Sequence, residues 1–229
     1  MSISPPARLD RLRRWGAWHP EWPLLAGAAG AWAVLIVQAP VPHRHGPHGL
    51  TDWALMSLAM MVPAAAPVIR YVGLNSIRSR RLLAMALFVT AYLAGWTAYG
   101  VVVLTVAGLA GRAEVAPRLQ LAVVLGVAGL WQLSRWKRSV LGTCVRPVPL
   151  PPVGWRANAA CARFGVSHSF RCITSSWALM LLMPSGSLWL MALLTVVAVA
   201  ESVVPLGARS ATPLAFVLAI SCVAVVAEL

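Results

Sequence analysis

Acidic residues are scarce in this chain of 229 residues: six Asp and Glu stand against 19 Lys and Arg, and the formal net charge is +13 at pH 7. Charged residues make up 11% of the chain, whereas hydrophobic residues make up 59%. A soluble domain of this length needs more polar surface than this composition supplies. The shortage of charge excludes an ordinary soluble domain and favours a chain whose apolar segments lie in lipid.

The sequence motifs of common enzymes are also missing. The chain has no phosphate-binding loop, no dinucleotide fingerprint and no paired carboxylate motif. Its four cysteines include no Cys-x-x-Cys pair, which argues against a zinc ribbon and a thioredoxin-type site. The cations are scattered over loops without a motif that reads nucleic acid, so anionic lipid headgroups are the expected polar partners. We therefore expect a protein that is not an enzyme and does not bind nucleic acid.

Six apolar stretches run through the chain. They lack the period-two alternation of a membrane barrel, and a helix needs about 20 mostly apolar residues to cross the hydrocarbon. This pattern predicts an all-α polytopic membrane protein with six transmembrane helices in a single domain, residues 1–229. The stretches are Leu24–Pro40, Trp53–Tyr71, Leu82–Ala110, Leu119–Ser134, Thr174–Ala200 and Pro213–Glu228.

The cations predict the orientation of these spans. Of the 19 Lys and Arg residues, 15 fall in the N-terminal tail, in the loop between the second and third stretches, or in the segment 135–171. Short loops rich in Lys and Arg stay in the cytoplasm. The pattern therefore predicts cytoplasmic N and C termini, a cytoplasmic or interfacial tail at 1–22 and a cytoplasmic loop at 135–171. The expected location is the bacterial inner membrane.

A weak internal repeat is visible in the two halves of the chain. Trp53 and Trp177 each open the sequence Trp-Ala-Leu-Met, and each copy is followed by a proline, Pro63 or Pro184. Three spans in each half would make a 3+3 inverted repeat, an arrangement found in transporters, where interrupted helices mark the central site. The alternatives are chance similarity in a chain rich in Trp and Leu, and prolines that only kink their helices.

One candidate metal site lies near the fifth stretch. His168 and Cys172 are four residues apart, so on a helix they share a face. A soft thiolate together with an imidazole suits copper(I) or zinc. Cys144, in the preceding loop, is a candidate third ligand at the cytoplasmic end of the fifth span. The alternative is an interfacial histidine beside a structural cysteine.

A second candidate site lies in the first external loop. His43, His45 and His48 occupy a Gly/Pro turn, in which imidazoles at these spacings can converge on one cation. Asp52 follows the turn and could add an oxygen ligand. Glu201, at the end of the fifth span, is expected on the same side if that span crosses fully, whereas a re-entrant loop at Pro184–Gly186 would put it on the cytoplasmic side. The alternative is a solvated polar turn.

Several runs occur in an order that resembles a known bacterial family, the predicted metal-binding integral membrane proteins (domain of unknown function 2182). The runs are Trp53–Pro63, Trp131–Lys137 leading to Cys144, and His168–Met180, with Glu201 after them. The resemblance implies a polytopic helical membrane protein with a metal site, presumed to bind copper, and a role in metal binding, handling or transport.

The chain departs from the pattern of that family at three positions. Ser175, Ser176 and Val140 stand where the family carries cysteines. Serine is a poorer ligand for a soft metal. An alternative function is therefore a structural or accessory subunit of a larger membrane complex that has lost metal binding, with its Gly and Ala faces serving as helix contacts.

Overall fold

The helices account for most of the part of the chain that the structure describes. The computed structural model describes residues 16, 18–38, 49–112, 116–137, 139, 148–151, 153–183 and 188–203, and no strand occurs within them. The all-α prediction is confirmed for these ranges. The helices are α1 (Trp22–Gln38), α2 (Leu50–Leu74), α3 (Arg81–Arg112), α4 (Pro117–Leu133), α5 (Gly154–Met180) and α6 (Leu188–Val203), with a 3-10 turn at Arg78–Arg80 before α3.

The first four predicted stretches each form one helix, α1 to α4, with ends close to the predicted ones. The sixth stretch, Pro213–Glu228, lies outside the described residues. Within the described ranges, two segments are long and apolar enough to cross a membrane, Leu50–Leu74 and Arg78–Arg112; α1, α4 and α6 are apolar but shorter. Length and composition therefore support two of the six predicted spans, and the six-span topology is not confirmed.

The fifth predicted span, Thr174–Ala200, is divided between two helices. Helix α5 ends at Met180 and α6 begins at Leu188. Glu201 nevertheless lines the same cavity as Cys172, although a continuous helix would place these two residues roughly 43 Å apart at about 1.5 Å per residue. The chain must therefore reverse its direction between α5 and α6, which disagrees with a fifth span that crosses fully and agrees with the alternative of a span that turns back.

Helix α5 also begins earlier than the sequence pattern suggests. Residues 154–171, which the sequence analysis includes in a loop, are helical. The sequence of α5 contains both apolar and polar side chains. Its average hydropathy is therefore low, although one face of the helix is buried. An amphipathic helix of this kind packs against other helices without forming a continuous apolar stretch.

Helices α2, α3 and α5 form the centre of the structure. Helix α3 packs most extensively against α5 and α2, while α2 also packs against α1 and α6. Helices α3 and α5 run in the same direction: the Phe88 ring lies 5.3 Å from the Phe164 ring, and further along both helices the Tyr99 hydroxyl donates a hydrogen bond of 2.9 Å to the Trp177 carbonyl. These two contacts define which residues of α5 lie beside which residues of α3.

Helix α2 passes through Pro63 and Pro67 without interruption. Proline has no backbone N–H, so Pro63 leaves the carbonyl oxygen of Ala59 without its usual helical donor. The indole nitrogen of Trp32, on α1, donates a hydrogen bond of 3.1 Å to this oxygen. A neighbouring helix thus satisfies the freed carbonyl, and the helix is not broken at Pro63. Pro184 lies outside the described residues.

A glycine allows α5 to approach the backbone of α3. A Cβ atom added at Gly165 would collide with the carbonyl oxygen of Phe88, whereas one added at Gly30 would find no atom within 4 Å. Replacing a helical Gly with Ala gains up to about 1 kcal/mol in helix propensity, but overpacking costs about 1–3 kcal/mol. We therefore expect Gly165→Ala to lower the thermal unfolding temperature of the purified protein and Gly30→Ala to keep or raise it. Equal shifts in the two variants would contradict the close approach.

Candidate metal site

A cavity of about 50 Å³ lies between α2, α5 and α6. Helix α2 contributes an apolar wall, while α5 and α6 contribute polar side chains. Ala64 and Pro67 lie just past the middle of the 25-residue helix α2, so the cavity lies about halfway along a helix long enough to cross a membrane. The lining residues are Ala64, Pro67, Val68, His168, Cys172, Ser175, Ser176, Ala198, Glu201 and Ser202.

His168 and Cys172 both line this cavity, on the same face of α5. Both also contact Tyr92 of α3: its ring lies 5.4 Å from the His168 ring, and its hydroxyl oxygen lies 3.2 Å from the Cys172 sulfur. His168 is buried, and its Nδ1 atom has no hydrogen-bond partner among the described residues. A buried polar nitrogen without a partner destabilises the folded protein. A metal ion or another ligand bound to this nitrogen would remove that penalty.

The level of this pair differs from the sequence-based prediction. That prediction puts His168 and Cys172 at the cytoplasmic end of the fifth span, whereas the structure places them beside Ala64 and Pro67 near the middle of α2. The difference arises because Cys172 lies beside Tyr92, about one third of the way along α3. A ligand bound between them would lie inside the bundle and away from its ends.

A buried ion pair adjoins the cavity. The Lys137 ammonium nitrogen lies 2.8 Å from a carboxylate oxygen of Glu201, and the two side chains are 0% and 5% exposed. The same ammonium group also donates to the side-chain oxygen of Gln132. Lys137 lies in a new helical turn that follows the end of α4 at Leu133. The Ser134 hydroxyl caps this turn by accepting a hydrogen bond of 3.0 Å from the Lys137 backbone N–H.

The position of Glu201 corrects one sequence-based prediction. A fifth span that crosses fully would put Glu201 outside, near the histidine-rich loop, whereas a re-entrant segment would not. In the structure the chain reverses after α5, and Glu201 lines the cavity with His168 and Cys172 while pairing with Lys137. Glu201 therefore joins the inner candidates.

Lys137 is a site residue that a count of loop cations misses, because the count treats every Lys and Arg of 135–171 alike. One signal could have found it. Glu201 is the single charged residue of an otherwise apolar helix, and an ionised side chain in such surroundings needs a buried partner of opposite charge.

The other sequence-based candidates are not brought to the cavity by the described residues. Asp52 lies in the first turn of α2, about half the length of that helix before Ala64, its first cavity-lining residue. Cys144, His43, His45 and His48 lie outside the described residues. Within the part that the structure describes, no three His, Cys, Asp or Glu side chains form a group that could hold a metal ion.

Two serines of α5 line the cavity but bond to their own helix. The hydroxyls of Ser175 and Ser176 donate hydrogen bonds of 2.8 and 2.7 Å to the carbonyl oxygen of Cys172. The soft donors of the described cavity are therefore the His168 imidazole and the Cys172 thiol, beside a carboxylate that is already paired with a lysine.

The chain matches the model of a known protein family over most of its length. The model of PpoB2, described as a copper chaperone, matches residues 50–225. This confirms the metal-related part of the resemblance seen in the sequence, although the matching family is not the one named there. No curated protein and no solved structure matches the chain.

Proposed function

Since the chain belongs to the PpoB2 copper chaperone family, we propose that it is a non-enzymatic integral membrane protein that binds copper(I) as cargo between His168 and Cys172. The observation that carries the proposal is the cavity that these two side chains line together. Thiolates select soft metals such as copper(I), and imidazole also binds copper.

The residues of the cavity fit this cargo. His168 presents a buried nitrogen without a hydrogen-bond partner among the described residues, and Cys172 supplies a sulfur in contact with the Tyr92 hydroxyl. The remaining lining is apolar, bonded to the backbone or, at Glu201, paired with Lys137, so it offers little to a hard cation, which prefers several oxygen ligands. A site with one nitrogen and one sulfur binds copper(I) while leaving room for a donor from a receiving protein.

Membrane integration is part of the proposal. Helix α2 and the segment Arg78–Arg112 have the length and composition of membrane spans, and the cavity lies about halfway along α2. Ionisable residues at membrane depth are costly and usually mark a pathway or a site. We place the protein in the bacterial inner membrane, with anionic lipid headgroups around its cytoplasmic cations.

The remaining predicted ligands have roles at the two ends of this path. Cys144 would bind copper separately on the cytoplasmic side, and the segment containing His43, His45 and His48, together with Asp52, would exchange copper on the outer side. His-rich segments recruit metals loosely, which suits exchange better than storage.

Copper content after purification tests the proposed function. We expect the purified protein, loaded with copper(I), to retain one ion per chain with both sulfur and nitrogen neighbours in its X-ray absorption spectrum. A variant with His43→Ala, His45→Ala and His48→Ala removes the outer histidines, so the copper that it retains reports on the inner cavity. Failure to retain copper, or a spectrum without sulfur ligands, would contradict the proposal.

A structural or accessory subunit is the second candidate function. Gly27 and Gly30 of α1 have no atom within 4 Å of the positions where their Cβ atoms would lie. Small residues let helices approach closely, so this open face of α1 suits a helix of another membrane protein. The same purification distinguishes the two functions, because a structural subunit would come with a partner and without copper.

A further inference from the structure

We propose that Lys137 makes the cavity selective for copper(I) over divalent metals such as zinc, because it occupies the carboxylate of Glu201. The proposal rests on the proposed function and adds a specificity residue to it. Lys137 is not a ligand in this proposal, and it acts through the charge and the hydrogen bonds that it gives to Glu201.

The geometry shows how firmly the carboxylate is held. Lys137 is fully buried, its ammonium nitrogen lies 2.8 Å from Glu201, and it also donates to Gln132. Glu201 lines the cavity together with His168 and Cys172. His168, Cys172 and Glu201 do not form a group that could hold one ion, so the carboxylate acts on a bound metal through its negative charge. Lys137 compensates that charge.

The charges of the cavity lead to the same conclusion. A thiol that coordinates a metal is deprotonated, and the Lys137–Glu201 pair is neutral as a whole. Copper(I) bound at Cys172 therefore leaves the cavity neutral, whereas zinc leaves one positive charge. An uncompensated charge is costly in a buried site. Without the lysine charge, the thiolate and the carboxylate would instead balance a divalent ion and leave copper(I) with one excess negative charge.

A competition titration tests the selectivity. Copper(I) and zinc affinities would be measured against chelators for the purified protein and for Lys137→Gln, both carrying His43→Ala, His45→Ala and His48→Ala so that the outer histidines do not bind metal. We expect Lys137→Gln to bind zinc more tightly and to lower the preference for copper(I) over zinc by about tenfold or more, since the cavity loses one buried positive charge. Lys137→Arg keeps the charge and should keep the original preference.

A double variant separates the role of the lysine from a general loosening of the cavity. Lys137→Gln with Glu201→Gln leaves no unpaired charge, so it should fold and keep the original preference for copper(I). If Lys137→Gln is unstable without metal, zinc should raise its unfolding temperature more than that of the parent, because a ligand stabilises the state that it binds.

Three outcomes would overturn the selectivity proposal: an unchanged preference in Lys137→Gln, an equal change in the double variant, or a loss of preference in Lys137→Arg. Should Lys137→Gln fail to fold even with zinc, the double variant decides: a retained preference supports the proposal and a gain in zinc affinity overturns it. Failure of the proposed function looks different, because the parent protein itself would then bind no copper(I) in the cavity.

Discussion

Replacement of Glu201 by alanine is expected to lower the free energy of unfolding by about 3–5 kcal/mol, because it leaves a buried ammonium group without its counter-charge. Lys137 is 0% exposed in the structure and has only the Gln132 side-chain oxygen as a further acceptor among the contacts described. A loss of this size approaches the total stability of a small domain, which is typically about 5–15 kcal/mol. The unfolding temperature and the yield of folded protein in detergent would both fall.

The double variant Lys137→Met with Glu201→Leu is the matched control. Replacing a whole buried ion pair with apolar residues of similar volume is often neutral, or stabilising by about 1–4 kcal/mol. We therefore expect this variant to unfold at a temperature close to that of the parent, well above Glu201→Ala. If Glu201→Ala and the double variant are equally unstable, the loss comes from packing around the cavity and the ion pair is not its cause.

The first four helices could be predicted from sequence because the property that reveals them is local. An uninterrupted apolar stretch needs no knowledge of its neighbours, and the bounds of α2 and α3 follow the stretches Trp53–Tyr71 and Leu82–Ala110 closely. Helix α5 is harder to predict, because its buried residues are separated in the sequence by cations such as Arg163 and Arg171. The reversal after Met180 depends on how α6 packs against α2, which hydropathy does not report.

The candidate site divides in the same way. The pairing of His168 with Cys172 follows from helix periodicity alone, and the structure places both on one cavity. The pairing of Lys137 with Glu201 joins residues 64 positions apart, and it requires both the turn after α4 and the reversal after α5. Counting cations by loop assigns Lys137 to the water-facing side, because the count does not distinguish a buried lysine from an exposed one.

Replacement of Cys172 by serine is expected to lower the copper(I) affinity of the cavity by about a hundredfold or more. The hydroxyl is a much poorer ligand for a soft metal than the thiolate, and even changes to residues that only support a metal ligand cost about 10–100-fold. Serine is close in size to cysteine and can keep the hydrogen bond to Tyr92, whose hydroxyl lies 3.2 Å from the sulfur. The fold should therefore survive while binding is lost.

Cys161→Ser is the matched control for this prediction. Cys161 lies on the same helix and is 3% exposed, but it does not line the cavity. A copper(I) competition titration should therefore show a large loss for Cys172→Ser and an unchanged affinity for Cys161→Ser, with similar unfolding temperatures for the two variants. An equal loss in both would indicate that either thiol binds copper adventitiously, and an unchanged affinity in Cys172→Ser would remove the cavity from the path of the metal. The control isolates position as the cause, since the two substitutions are chemically identical.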